Sequence, residues 1–184
     1  MSVLAAVAGL TLPWVPDALE TLHETQSRLA LSEFLRQSLV LRRRLVLPVS
    51  DADQVTLGLV VQGLSPVRLL YVTLDGHPQD LSGMALEGDT LLLHGVTSGE
   101  LVVEVAVTTS PTKGDVAEAE LEPWLEPLMH GTLARLFALQ PYEWYDPNQA
   151  SFHRSAFYAG IEQARADDLR QAKRRPRRVR YAGL

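Results

Sequence analysis

The chain of 184 residues contains no cysteine. That removes disulfides, a thiolate nucleophile and any cysteine-ligated metal site, and it fits a reducing compartment. Long hydrophobic runs are also missing. The apolar start, Val3 to Leu12, is cut off by Pro13, well short of the ~18 residues that a membrane span needs. No basic residue precedes Arg28, so this start lacks the charged region of a secretion signal. It reads as a helix or arm packed on the body or on a neighbour. The chain has no Gly-x-Ser-x-Gly elbow, no Gly-x-x-x-x-Gly-Lys-Ser/Thr loop, no Gly-x-Gly-x-x-Gly run and no His-Glu-x-x-His pair. The usual signatures of acyl-transfer, nucleotide and zinc chemistry are therefore absent.

Histidine offers no better lead. Of His23, His77, His94, His130 and His153, no two stand four apart as helical metal ligands do. His77 falls in a turn and His94 at a strand end. His130 and His153 lie on different helices and can meet, but they read as packed or surface residues rather than ligands. Glu118, Glu120, Glu122 and Glu126 read as a solvated helix start. The reading is of a protein without catalytic residues, metal or cofactor, and not an enzyme.

What the chain does have is a charge split. Its 17 basic and 22 acidic residues give a net charge of −5. Seven of the basic ones, and none of the acidic ones, lie between Leu169 and Leu184, so residues 1–168 carry −12 and the last sixteen +7. A nucleic-acid-binding domain is ordinarily basic across its folded surface, which this body is not. Hydrophobic residues make up 46% and charged ones 21%, enough for a packed core in one domain, or one domain with an insertion.

Periodicity divides the chain. Residues 15–42 read as a helix, with Leu19, Leu22, Leu29, Phe34, Leu35 and Leu39 on one side and Arg42-Arg43-Arg44 complementing the dipole at its end. The alternative for that arginine cluster is an inter-subunit or phosphate contact. From Leu45 to Thr109 the period shortens. Strands are expected near Leu45–Val49, Val55–Gln62, Val67–Leu74, Thr90–His94 and Leu101–Thr108, with a turn at Thr97-Ser98-Gly99. Val103, Val105 and Val107 should face one way, and Val102, Glu104 and Ala106 the other. Ser110 to Asp115 reads as a linker. Helical spacing returns from Glu118 to Leu139, made irregular by Pro123 and Pro127. A second helix should run from Pro147 to about Lys173, with Asp146 as N-cap, Pro147 at the first position and Gln149 completing a capping box.

Two features point to partners. Tyr142, Trp144 and Tyr145 crowd the turn before Asp146 and Pro147. They suit a protein interface, a base-stacking surface, or simply the fixing of two helices at an angle. The basic end, with Lys173, Arg174, Arg175, Arg177, Arg178, Arg180, Tyr181 and Leu184, reads as a localisation signal, a nucleic-acid arm or a docking segment. Its terminal Tyr181 and Leu184 favour docking slightly.

The stretch Leu128-Met129-His130-Gly131-Thr132-Leu133-Ala134-Arg135-Leu136-Phe137, followed by Gln140-Pro141-Tyr142-Glu143-Trp144-Tyr145-Asp146-Pro147, resembles a segment of tailed-bacteriophage head-to-tail adaptor proteins, the connectors also called tail tubular protein A-like. Phe157, Gly160, Ile161 and Ala164-Arg165 are similar to the continuation of that segment, and Ser32 to Ser38 to the helix before the family's β insert. The resemblance covers more than half of the chain. It implies a non-enzymatic virion protein of the phage neck, assembled in the host cytoplasm as a homo-oligomeric ring, commonly a dodecamer of twelve subunits. Such a ring joins the capsid portal protein to the tail (nozzle or tail tube) protein and lines the channel for DNA ejection, without membrane contact. Its C-terminal arm would dock on the portal. An acidic channel wall would let DNA slide past, since like charges repel. The alternative is a regulatory protein holding nucleic acid with its basic arm.

The expected fold class is α+β: a helical bundle with a long N-terminal helix and two C-terminal helices, an inserted small antiparallel β sheet or sandwich, and an extended basic C-terminal arm. The expected divisions are 1–44, 45–110, 111–173 and 174–184.

Overall fold

The computed structural model describes residues 1–174 apart from Lys113 and Pro141. Helix α1, Val3–Thr11, begins where the Ser2 hydroxyl accepts the Ala5 N–H at 3.2 Å, which satisfies one of the free donors of a helix start. Its first residues lie against the segment that leads into the C-terminal helices. The Val3 N–H donates to the Val116 carbonyl at 3.0 Å, and the Glu118 N–H to the Met1 carbonyl at 3.1 Å.

Helix α2 spans Glu20–Ser38, so the expected helix over 15–42 is corrected at both ends. Pro13 and Pro16 keep the entry segment in turns, where the Ala18 N–H reaches back only to the Val15 carbonyl. At the far end Leu39 takes φ +61°, a left-handed residue that stops the helix. Such a conformation costs a non-glycine residue about 1–2 kcal/mol, and no glycine or asparagine announces it in the sequence. Arg42-Arg43-Arg44 therefore open a strand rather than close a helix.

The strands are β1 (Arg42–Thr56), β2 (Leu64–Leu74), β3 (His77–Pro78), β4 (Ala85–Glu87) and β5 (Thr90–Thr109). They form one five-stranded antiparallel sheet in the order β1-β5-β2-β3, with β4 also paired to β5. The two expected strands Thr90–His94 and Leu101–Thr108 are one continuous strand. Gly95 (φ +93°) and Gly99 (φ +138°) absorb the bend, and β1 follows it through register shifts between Val49 and Gln54. The expected strand Val55–Gln62 ends at Thr56. Beyond it, a 3₁₀ turn at Val60–Gln62 is held by the Asp89 carboxylate, which accepts the Leu59 and Val60 N–H groups.

A small insert in a helical bundle is thus not what forms. Strands β1, β2 and β5 run 15, 11 and 20 residues, and sheet and helices share one core. Val72, Val103, Val105 and Val107 of the sheet are fully buried with Phe34 and Leu35 of α2 and Val3 of α1. The opposite side of β5 is less open than alternation predicts. Ala106 is also fully buried, set by the register between Arg42 and Arg68.

After residue 110 the expected helix Glu118–Leu139 is split. Helix α3 (Glu118–Leu121) passes through a 3₁₀ turn at Glu122–Trp124 into α4 (Leu125–Leu136), with Pro123 inside the 3₁₀ turn and Pro127 in the first turn of α4, where a missing N–H does least harm. Helix α5 runs Pro147–Arg174, as its cap signals predict. Helices α4 and α5 approach closely at two glycines. A Cβ on Gly131 would lie 2.6 Å from the Phe157 ring, and one on Gly160 2.5 Å from the Pro127 side chain.

Candidate assembly interface

The turn between α4 and α5 is built from its caps outward. The Asp146 carboxylate accepts the Asn148 and Gln149 N–H groups at 2.9 and 3.1 Å. The Asp146 N–H donates to the Phe137 carbonyl at 3.0 Å, tying the start of α5 to the end of α4. Pro147 occupies the first helical position, where its fixed φ suits the helix. The aromatic side chains divide between packing and display. Trp144 packs against a second, smaller core of Val15, Ala18, Leu133, Leu136, Phe137 and Ala150, and its indole N–H finds no acceptor among the described residues. Tyr142 stacks on Trp144 with ring centres 4.5 Å apart. Tyr142 and Tyr145 remain 45% and 39% exposed. The turn therefore fixes the angle between the helices and leaves two tyrosines partly in solvent.

An open cavity of about 350 Å³ lies beside it, between α2, α4 and α5. Its wall is a network centred on Glu33. That carboxylate accepts the Arg135 guanidinium, the Tyr158 hydroxyl at 2.9 Å and the Gln37 amide at 3.0 Å. Donating to a carboxylate pushes the Tyr158 phenol above its ordinary range. Arg135 also donates to the Gly131 carbonyl and lies over the Phe157 ring. Three helices are locked by one acidic side chain, with Arg154 lining the same cavity.

His130 and His153, read from the sequence as ordinary packed or surface residues, meet across α4 and α5 with their Nδ1 atoms 2.7 Å apart. One proton must lie between them. Assigning it to His130 leaves that ring's Nε2 open toward Glu126, 4.0 Å away. It also places an N–H on the buried Nε2 of His153, which has no acceptor among the described residues, while the ring sits edge-to-face with Trp14 at 5.6 Å. Burial pushes His130 below its usual value against the pull of Glu126. Burial, and then the charge of His130, push His153 down as well.

Of the basic end, Lys173 and Arg174 are the last residues of α5, while Arg175, Arg177, Arg178, Arg180, Tyr181 and Leu184 lie outside the described residues. Among the described residues, no three histidine or acidic side chains gather as metal ligands do, and no helix is long and apolar enough to cross a membrane. Sequence reasoning missed the Glu33–Arg135–Tyr158 network, in which Glu33 stands more than a hundred positions from both partners and leaves no spacing to read. It also passed over Trp14, although the prolines flanking it signal a side chain held outside a helix. No protein-family model matches this chain, and no curated protein matches it.

Proposed function

We propose that the chain is a structural adaptor whose copies assemble into a ring between a phage portal and tail, around the path of the ejected DNA. The observation that carries this reading is the rigid α4–α5 corner. Its caps and Trp144 hold it fixed, while Tyr142, Tyr145, Phe152 and Tyr158 stay 45, 39, 62 and 44% exposed. Large aromatic side chains kept in place and half in solvent are the raw material of protein interfaces. The adaptor-like sequence of this same corner supports a binding role. In this reading the basic end is the portal-docking arm and the acidic body faces the DNA.

Purified protein mixed with the portal of the same phage should give a ring-shaped complex by electron microscopy. A stable monomer that ignores the portal would sink the reading. Deletion after Ala172 should weaken docking and leave the circular dichroism of the body unchanged. Steeply salt-dependent binding of nucleic acid by the intact chain, with no portal complex, would favour the regulatory alternative.

A further inference from the structure

The protein displays two apolar patches, one with an acidic rim and one with a basic end, and we propose that they bind each other between neighbouring copies of this chain. The inference rests on the ring reading above and specifies which surfaces meet in it.

The first patch is the segment joining α1 to α2. Leu10, Leu12, Trp14 and Leu19 are 42, 42, 53 and 73% exposed, whereas Thr11, Val15 and Ala18 between them are buried. The segment is firmly seated. The His23 ring bonds the Thr11 hydroxyl at 3.1 Å and the Val15 carbonyl at 3.0 Å, and Trp14 leans on His153. Phe152, 62% exposed and in contact with the same histidine ring, extends the patch onto α5. The charges around it are acidic. Asp17, Glu20 and Glu126 are exposed, and none is paired with an arginine or lysine among the described residues. Unpaired acids around a fixed apolar surface call for a basic partner.

The second patch is the outer face of the sheet. The register sets Arg44 opposite Glu104 and Glu104 opposite Tyr71, and one step along it sets Val46 opposite Val102. Directly opposed residues share a face. Val46 and Tyr71 are 55% and 46% exposed. On that face Glu104 is held by Arg42 at 3.0 Å, while Arg44 and Arg68 are exposed with no partner among the described residues. Between a basic end at Arg44 and Arg68 and an acidic one at Glu100, which the register sets opposite Pro48, this face is apolar, and its basic end complements the first patch. A symmetric pairing of the first patch with itself would set Asp17 and Glu20 against like charges. The favoured contact therefore joins two different patches, and a head-to-tail contact of this kind is the one that builds a ring when its rotation closes.

The chain lacks cysteine, so introduced thiols report this contact without background. L19C and V46C proteins, each full length, are prepared separately, mixed and oxidised. The mixture should give a disulfide dimer several times more abundant than either protein alone gives. Adding R44E and R68E to the V46C chain should lower the yield by about tenfold, the effect of roughly 1.4 kcal/mol. D17R with E20R on the L19C chain should restore it. A mixture that links no better than its components, or a yield indifferent to both charge reversals, overturns the proposal. Circular dichroism checks each variant's fold. Native mass spectrometry of the same samples, with and without portal, separates the two ideas. Oligomers without the Leu19–Val46 link refute this contact and leave the ring reading standing, whereas no oligomer in either condition refutes both.

Discussion

The His130–His153 pair makes the stability of this fold depend on pH in a calculable way. At 2.7 Å between Nδ1 atoms there is room for one proton but not two. Both histidines are held below their usual value of 6.5, mainly by burial. The folded state therefore takes up protons later than the unfolded chain does. Because the unfolded state binds more protons on acidification, stability is intact above pH 6.5 and falls as the pH drops below it. A histidine kept neutral in the fold and protonated near pH 6.5 when unfolded removes about 1.4 kcal/mol per pH unit.

His153→Phe removes one of the two titrating rings and keeps a flat ring stacked on Phe137, which His153 now meets at 5.6 Å. Urea unfolding of wild type and variant, followed by tryptophan fluorescence at several pH values from 7.5 to 5, isolates the contribution of His153 and its coupling to His130 from the other ionisations. Between pH 6.5 and 5.5 the wild type should lose up to about 1 kcal/mol more than the variant, because the unfolded histidine is only half protonated at the start of that interval. Parallel curves, or a wild type that gains on the variant as the pH falls, would refute both the geometry and the sign.

Other substitutions probe the α4–α5 corner. Gly131→Ala gains about 1 kcal/mol of helix propensity but drives a methyl into the Phe157 ring 2.6 Å away, which costs about 1–3 kcal/mol. Net destabilisation in urea is expected, and a more stable protein would show that the helices can part freely. Asp146→Ala should cost about 1 kcal/mol and Asp146→Ser much less, because a hydroxyl can still accept the Asn148 and Gln149 N–H groups. Equal losses for the two would remove the capping account. Glu33→Gln should bring the Tyr158 phenol back toward its ordinary titration range, since the hydrogen bond to the Glu33 carboxylate is the leading cause of its rise. An unchanged tyrosine titration by ultraviolet absorbance would contradict that cause.

Elements with local signals were legible in the sequence, and those fixed by distant contacts were not. Helix α5 was readable from Asp146, Pro147 and Gln149 because capping is a matter of three adjacent residues. The end of α2 was not, because Leu39 adopts a left-handed conformation that nothing in its own chemistry requests. The size of the sheet was underestimated for a related reason. Turn-forming residues such as Thr97-Ser98-Gly99 lie inside β5, where Gly95 and Gly99 bend the strand instead of ending it. At the candidate interface, the aromatic turn was legible from composition. The histidine pair was visible only as two residues able to meet, because a separation of 23 positions does not encode a 2.7 Å contact.

The charge split changes meaning in the same way once partners are assigned. Of the basic residues in the acidic body, Arg28, Arg42, Arg43, Arg135 and Arg165 are each held by a carboxylate. Asp89 and Asp146 spend their charge on backbone N–H groups. These pairings cancel equal and opposite charges locally and leave the net charge of the body unchanged, so the local field felt by a partner is shaped by the unpaired groups. Those groups are not scattered evenly: Asp17, Glu20 and Glu126 surround an apolar segment, and Arg44 and Arg68 flank an apolar sheet face. Exposed pairs between two such surfaces would be screened by salt over about 10 Å at 0.1 M, whereas apolar contact would not. Assembly through these faces should therefore slow and weaken with salt without vanishing. A contact made by the basic end alone would instead collapse under the same titration, because it has few apolar side chains to sustain it.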